Sequence, residues 1–223
     1  MKPLKAVLFD LDGTLLDTLD DLCDAVNFAL AEEGYPTRTR EEVRRFVGNG
    51  VESLMRQAVP AGTKDERMYE ALSIFRDDYE KRNRNRTRPY DGIPALLATL
   101  RERGILIGVV SNKYDAAVRA LCEYYFPALI DLSVGERADL KRKPAPDAVL
   151  YAMERLGVCA DECVYVGDSE GDIITAENAG VRCISVLWGL RDRDVLVAAG
   201  ARVSVEDARG LLAALEAMGA PRA

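Results

Sequence analysis

Short apolar runs alternate with longer helical patterns in this chain beyond residue 92. Runs typical of buried strands occur at residues 105–110, 129–134, 163–166 and 183–187, and another lies far upstream at 4–11. Strands joined through helices need crossover connections, which are right-handed and leave neighbouring strands parallel. The sequence therefore predicts an α/β fold with a doubly wound parallel sheet.

Residues 17–87 interrupt this alternation, because they contain helical patterns and no strand-like run. Four helices are predicted there, at residues 18–33, 41–47, 51–58 and 64–82. A length of 223 residues allows one large domain, or one domain that carries a smaller second one. We therefore expect a core domain formed by residues 1–16 and 88–223, with residues 17–87 inserted as an all-helical domain.

Composition excludes several mechanisms and partners. The chain has no histidine, which removes Ser-His-Asp catalysis, Cys-His catalysis and any imidazole base. Carboxylates, lysine and a metal ion must then carry any acid–base chemistry. The net charge of −7 repels a nucleic acid backbone, so we expect no nucleic acid partner. No apolar run approaches the ~20 residues needed to span a bilayer, so we expect no membrane segment.

The number and spacing of the cysteines favour a reducing cellular compartment. The five cysteines are scattered, odd in number and without a C-x-x-C pair, which argues against a disulfide framework and a zinc site. The N-terminus continues directly into a strand-like run without a small-residue cleavage site, so we expect no secretion signal. A reducing cytoplasm fits these features best. For the oligomeric state, a monomer and a homodimer both stay open.

Ligands of such sheets bind beyond the carboxyl ends of the strands. Polar side chains follow three predicted strands, and a lysine lies in a later connection: Asp10 and Asp12, Ser111 and Asn112, Asp168, and Lys143. The predicted topology brings these groups to one edge of the sheet, although they are far apart in the sequence. That edge is the predicted functional site.

The segment Asp10-Leu11-Asp12-Gly13-Thr14 puts two carboxylates at alternate positions at the end of a strand. Acids this close repel each other, so a cation must neutralise them or one must stay protonated. Such an arrangement is typical of a metal site, or of a nucleophile beside an acid–base group. Asp168 adds a hard oxygen ligand of the kind that Mg²⁺ prefers. If the group is a metal site, its oxygen ligands predict Mg²⁺ as the cofactor.

Four further residues are candidates for binding phosphate or for holding other site residues in place. Ser111 and Asn112 follow the predicted strand at 105–110 and open a predicted helix, so a hydroxyl and backbone N–H groups there can cradle phosphate oxygens. Two prolines follow Lys143 closely, fix the backbone and hold the ammonium in place as a point charge. Asp172 falls on the first turn of a predicted helix, where capping and hydrogen bonding to the metal ligands both stay open.

Together these elements resemble the motifs of the haloacid dehalogenase superfamily of phosphohydrolases: D-x-D-G-T, a Ser or Thr after a strand, a Lys, and G-D-x-x-x-D. All four occur in this order over nearly the whole chain. The resemblance implies a phosphatase in which Asp10 attacks phosphorus to give an aspartyl-phosphate. Asp12 would protonate the leaving group and later deprotonate water. Mg²⁺ would be held by Asp10, Asp168 and the Asp12 backbone carbonyl.

The resemblance also implies roles for the remaining motif residues: phosphate contacts from Thr14, Ser111, Asn112 and Lys143, and supporting hydrogen bonds from Asp172 and Ser169. The helical insert follows the first motif, as does the cap of the subgroup that contains phosphoglycolate phosphatases. Phe46-Val47-Gly48-Asn49-Gly50 resembles their cap segment, so Gly48, Asn49 and Gly50 are the predicted cap contacts. A simple turn between two helices accounts for the same glycines.

The resemblance implies a small phosphorylated acid as substrate, with 2-phosphoglycolate first among the candidates. Arg44, Arg45 and Arg56 are possible partners for its carboxylate, although they suit a solvated helix face equally well. The basic segment 81–88 is interpreted as a solvated helix end, with substrate steering as the alternative. Pyrophosphate and sugar phosphates stay open as substrates. A phosphomutase is disfavoured by the lack of a cap histidine, and a non-catalytic binding protein by the intact motif acids.

Overall fold

The computed structural model describes residues 2–221 of the chain. The strands are β1 (Ala6–Phe9), β2 (Leu16–Asp17), β3 (Arg88–Pro89), β4 (Leu106–Tyr114), β5 (Leu132–Glu136), β6 (Cys163–Gly167), β7 (Arg182–Val186) and β8 (Ser204–Val205). Within the described residues, six of them form one parallel sheet in the order β5-β4-β1-β6-β7-β8. This confirms the predicted α/β fold. In β1, Phe9 pairs with Val109 on one side and Val166 on the other, so β1 lies between β4 and β6.

Helices cover both faces of this sheet. The helices are α1 (Leu19–Glu32), α2 (Arg40–Phe46), α3 (Gly50–Ala58), α4 (Asp65–Arg82), α5 (Ile93–Glu102), α6 (Asp115–Tyr125), α7 (Asp147–Leu156), α8 (Glu170–Asn178), α9 (Arg193–Ala198) and α10 (Ala208–Ala217). Successive side chains of a strand point to opposite faces. Accordingly Val7 and Phe9 pack in one apolar cluster with α5 and α10, whereas Ala6 and Leu8 pack in another with α7 and α8. Because both faces are buried, β1 is apolar throughout.

The helices α1 to α4 form a bundle with an apolar core of its own. On α1, Leu22, Ala29 and Leu30 are buried at helical spacing and share a cluster with Leu72 of α4. Leu190, which follows β7, also packs into this cluster and so joins the bundle to the sheet. No helix within residues 2–221 combines the length and the apolar character that a bilayer crossing requires.

Two segments connect the bundle to the sheet, and they pair with each other. Leu16–Asp17 runs antiparallel to Arg88–Pro89. The buried carboxylate of Asp21 accepts hydrogen bonds from the N–H of Arg86 at 3.0 Å, the N–H of Thr87 at 2.9 Å and the Thr87 hydroxyl at 2.8 Å. Hydrogen bonds to an ionised acceptor are the stronger kind. Asp21 therefore fixes the returning segment beside the start of the bundle.

The strand β4 continues further than the sequence predicts. It extends to Tyr114, and the next helix begins only at Asp115. The prediction that Ser111 and Asn112 open a helix is therefore wrong. The reason lies in long-range pairing, because Tyr114 pairs with Glu136 after an irregularity that follows residue 110. The other predicted strands and helices agree with the structure within a few residues.

The basic segment 81–88 is largely neutralised by nearby acids. Its arginines form these ion pairs: Arg82 with Asp78, Arg86 with Asp24, and Arg88 with Asp17. Arg84 instead lies over the ring of Tyr124, 4.7 Å from its centre. The arginines of these pairs are about half exposed or more, and pairs of this kind contribute little to stability. The contacts favour a solvated helix end over a surface that steers anions.

Burial predicts how two leucine truncations should differ. Leu97 on α5 is fully buried, whereas Leu150 on α7 is 46% exposed. Leu97→Ala should lower the free energy of unfolding by about 2–5 kcal/mol, because it leaves a cavity in the core. The matched change Leu150→Ala should alter it by less than about 0.5 kcal/mol. Denaturant titration followed by circular dichroism measures both, and equal losses would contradict this core.

Candidate active site

The carboxyl ends of β4, β1 and β6 meet because these three strands are neighbours in the sheet. Asp10 follows β1, Ser111 lies near the end of β4, and Asp168 follows β6. All three line one cavity between the sheet and the helical bundle. Lys143 approaches from the connection between β5 and α7, and its Nζ lies 3.0 Å from Asp10 Oδ2. The predicted site residues thus converge from distant parts of the chain.

Asp10, Asp168 and Asp172 form a buried carboxylate cluster, in which one oxygen of each lies within 4.8 Å of the others. Each residue is at most 7% exposed. Burial raises the pKa of Asp10, and the nearby charge of Lys143 opposes this shift. Burial also raises the pKa of Asp168, and the negative charges of Asp172 and Asp10 increase that shift. A bound cation would relieve this repulsion, and a donor set made only of oxygen suits Mg²⁺.

Lys143 bridges two members of the cluster. Its Nζ lies 2.7 Å from Asp172 Oδ1 and 3.0 Å from Asp10 Oδ2, and it donates to the Tyr165 hydroxyl at 3.1 Å. Burial works to lower the pKa of Lys143, but the charges of Asp10 and Asp172 raise it well above its usual value. Asn112 holds the Lys143 backbone, because its Oδ1 accepts from the N–H at 2.8 Å and its Nδ2 donates to the carbonyl at 3.1 Å.

Asp168 is held from two sides. The Thr14 hydroxyl donates to Oδ1 at 3.1 Å, and the Leu190 N–H donates to Oδ2 at 2.7 Å. Two glycines permit this close approach, because a Cβ at Gly13, where φ is +83°, or at Gly189 would collide with the Asp168 side chain. The hydroxyl of Thr14, for which we predicted a phosphate contact, is therefore engaged with Asp168.

Asp172 takes part in the helix cap, which is one of the two alternatives that the sequence leaves open, and its other oxygen binds Lys143. Its Oδ2 accepts from the Ser169 N–H at 3.0 Å and from the Ser169 hydroxyl at 2.6 Å, in a capping box at the start of α8. Its Oδ1 accepts from Lys143 at 2.7 Å and from Tyr165 at 3.2 Å. Asp172 thereby orients Lys143 and Ser169, and Ser169 itself lines the cavity.

Asp12 lines the same cavity but has its own partners. Its Oδ1 accepts a hydrogen bond from the Thr18 hydroxyl at 2.8 Å, and Lys113 Nζ lies 3.0 Å from Oδ1 and 3.1 Å from Oδ2. Lys113 is a site residue that sequence reasoning missed. The sequence could have indicated it, because alternate side chains of an extended chain point to the same side. Lys113 therefore lies on the same side as Ser111.

The helical bundle contributes the opposite wall of the cavity, which carries no charged side chain: Leu22, Val47, Gly48, Gly50, Val51 and Leu54. Asn49, which was predicted as a contact together with the two glycines, is exposed and lies outside this lining. The three arginines considered as carboxylate partners also lie outside it, because they pair with acids elsewhere: Arg44 with Asp192, Arg45 with Glu41, and Arg56 with Asp65.

The segment after β7 ties the bundle to the carboxylate cluster. The Leu190 side chain packs into the core of the bundle, while its N–H binds Asp168. The next residue, Arg191, donates to the carbonyl of Arg44 at 3.0 Å and to that of Val47 at 2.7 Å. These carbonyls belong to the C-terminal end of α2, where helices leave acceptors unpaired. The position of the bundle is therefore coupled to that of Asp168.

Known proteins resemble this chain over most of its length. The family model described as haloacid dehalogenase-like hydrolase matches residues 7–186. A phosphoglycolate phosphatase from Xanthomonas campestris pv. campestris is 37% identical over 189 residues, which cover 84% of this chain and 85% of that protein. A phosphoglycolate phosphatase from Pseudomonas putida is 33% identical over 214 residues, which cover 93% of this chain and 78% of that protein.

A solved structure extends the similarity to three dimensions. It is that of a candidate phosphoglycolate phosphatase from Lactobacillus delbrueckii subsp. bulgaricus, with a TM-score of 0.91 and 35% sequence identity. The match covers 96% of this chain and 99% of that chain. The resemblance inferred from the motifs is thus confirmed. Because the family model spans every motif residue from Asp10 to Asp172, and two relatives exceed 30% identity over most of their length, the chain belongs to the haloacid dehalogenase-like hydrolases.

Proposed function

We propose that this chain is a cytoplasmic, Mg²⁺-dependent phosphatase that hydrolyses a small phosphate monoester, with 2-phosphoglycolate as the leading substrate. The observation that carries the proposal is the Asp10 carboxylate, which lines the cavity at the end of a central strand and contacts Lys143 at 3.0 Å. The hydrolase family and the relatives named phosphoglycolate phosphatases support the proposal.

The carboxylate cluster fits a magnesium ion. Its three acids are buried, offer only oxygen donors, and place one oxygen each within 4.8 Å of the others. Asp10 and Asp168 would hold the ion, together with the Asp12 backbone carbonyl that the family resemblance implies. Asp172 would keep its partner Lys143. When bound, the ion neutralises the charge of these acids and of the phosphate oxygens.

Asp10 is placed to act as the nucleophile. Its Oδ1 accepts from the Leu11 N–H at 2.7 Å and its Oδ2 contacts Lys143, so the carboxylate is held in one orientation. In-line attack on phosphorus would give an aspartyl-phosphate, which splits one difficult displacement into two easier ones. Ser111 and Lys143 would stabilise charge on the phosphoryl oxygens, while Asn112 positions Lys143 through its backbone.

Asp12 would transfer the protons. Its carboxylate lines the cavity with that of Asp10 and is oriented by Thr18 and Lys113. In the first step it would protonate the leaving oxygen, and in the second it would take a proton from the attacking water. Asp12 is not among the three clustered carboxylates and has Thr18 and Lys113 as its partners, which supports this division of roles.

We further propose that residues 17–87 act as a cap domain over a core formed by residues 1–16 and 88–223. The bundle has its own apolar cluster, is joined to the sheet through a pair of short strands, and supplies the uncharged wall of the cavity. Such a wall excludes water from the reacting groups. A substrate of few atoms offers little contact area, so its recognition must rely on charge and closure.

Asp10→Asn should abolish turnover, because an amide is not a competent nucleophile. The measurement is kcat for an aryl phosphate in the presence of Mg²⁺, with circular dichroism to show that the fold survives. Asp77→Asn, a change of an exposed acid on α4, is the matched control and should keep full activity. If Asp10→Asn retained more than about a tenth of the wild-type kcat, a loss under ~1.4 kcal/mol, the nucleophilic role would be wrong.

Asp12→Asn should slow turnover by roughly 10²–10⁴-fold, the range typical of general acid–base catalysis. Its affinity for Mg²⁺ should change little, whereas Asp168→Asn should weaken that affinity strongly. Magnesium titrations of activity and of Trp188 fluorescence separate the two roles. An equal loss of affinity in the two variants would mean that the Asp12 carboxylate is itself a metal ligand.

Among candidate substrates, 2-phosphoglycolate should give the highest kcat/KM. The comparison should include pyrophosphate and hexose phosphates under identical Mg²⁺ concentrations. A preference of about tenfold or more, ~1.4 kcal/mol, for either rival would refute the substrate assignment. Conversion of a hexose phosphate into its isomer would indicate a phosphomutase, and no reaction with any ester would indicate a binding protein.

A further inference from the structure

Two cationic side chains line the cavity in the described part of the chain, Lys113 and Arg191. The guanidinium of Arg191 is engaged on three sides, by Glu170 at 3.0 Å and by the carbonyls of Arg44 at 3.0 Å and Val47 at 2.7 Å. These contacts assign Arg191 to holding the bundle. The ammonium of Lys113 instead contacts Asp12, the group proposed to transfer protons. Lys113 therefore lies next to the position at which the substrate would react.

The Lys113 ammonium is buried at the boundary between the sheet and the bundle. Its side chain is 3% exposed, and Nζ lies 4.6 Å from the centre of the Tyr79 ring on α4. Buried lysines are rare unless paired, and here Asp12 is the partner. Asp12 has a second anchor in the Thr18 hydroxyl at 2.8 Å. An ammonium carries three N–H donors, and the two Asp12 oxygens can engage two of them. The third donor would be shared between the Tyr79 side chain and a ligand in the cavity that Lys113 lines.

The position of Asp12 restricts where a substrate carboxylate can lie. To protonate the leaving oxygen, Asp12 must approach it to about 2.6–3.2 Å. In 2-phosphoglycolate a single methylene separates that oxygen from the carboxylate, so the carboxylate must lie close to Asp12 and to its partner Lys113. The bundle wall offers apolar side chains that cannot neutralise a charge: Leu22, Val47, Val51 and Leu54.

We propose that Lys113 binds the substrate carboxylate and selects phosphate esters of short 2-hydroxy acids over neutral esters. This inference rests on the proposed phosphatase function of the same site. The contact would be a charge-assisted hydrogen bond in a buried setting, where such bonds are strengthened. A neutral ester cannot form this charge-assisted contact, so it would gain less binding free energy from Lys113 than a carboxylate does.

The test compares two substrates in variants of Lys113. For wild type and Lys113→Gln, kcat/KM is measured with 2-phosphoglycolate and with ethyl phosphate, which lacks the carboxylate. The ratio of the two values should fall at least about tenfold in Lys113→Gln, because one charge-assisted contact is lost. Lys113→Arg keeps the charge and should retain most of the ratio. Lys64→Gln, which removes an exposed cap lysine, is the matched control and should leave the ratio unchanged.

A purely structural role gives a different result, because an effect on Asp12 alone lowers kcat/KM equally for both esters. An unchanged ratio in Lys113→Gln would overturn the inference while leaving the proposed function standing. A ratio that falls in Arg191→Gln but not in Lys113→Gln would also overturn it. If circular dichroism shows that Lys113→Gln does not fold, Lys113→Met preserves the stem against Tyr79 and takes its place. Equal kcat/KM for the two esters in wild type would refute the substrate assignment itself.

Discussion

The structure of the candidate active site depends on the neutralisation of three buried carboxylates at the edge of the sheet. Asp10, Asp168 and Asp172 place their oxygens within 4.8 Å of one another, and Lys143 contacts two of them. Ionised groups removed from water cost several kcal/mol each unless paired. Burial raises the pKa of Asp10 and of Asp168 although Lys143 is close, so a bound cation would stabilise the ionised form of the cluster. The cluster therefore explains why the lysine is buried and why a metal ion would fit beside it.

The same cluster reaches the helical bundle through one short segment. Leu190 donates its N–H to Asp168 and packs its side chain into the bundle, and Arg191 holds the C-terminal carbonyls of α2. On the other side, Asn112 donates to the carbonyl of Gly48 at 3.1 Å while it also holds Lys143. Displacement of the bundle must therefore disturb the groups that surround the carboxylate cluster. This contact network would give the proposed cap a direct physical route to the carboxylate cluster.

Much of this arrangement could be predicted from the sequence, because apolar runs and helical periodicity encode the elements locally. The motif acids Asp10, Asp12 and Asp168 were predicted for the same reason, since each follows a strand. The failures concern contacts between distant residues. Ser111 and Asn112 stay extended because Tyr114 pairs with Glu136. The strands β2 and β3 are too short to show an alternating pattern of apolar and polar residues in the sequence. Lys113 was missed because its partner lies 101 positions away, at Asp12.

The central claim is that Asp10 carries the phosphoryl group during turnover, and its most direct test is chemical capture of that intermediate. The protein would be mixed with substrate and Mg²⁺, quenched in acid within one turnover, digested and analysed by peptide mass spectrometry. Asp12→Asn would help, because slowed hydrolysis lets the intermediate accumulate. The account predicts one phosphoryl group on the peptide that contains Asp10, located at that residue by fragmentation. Turnover without phosphorylation of Asp10, or phosphorylation at another residue, would contradict it.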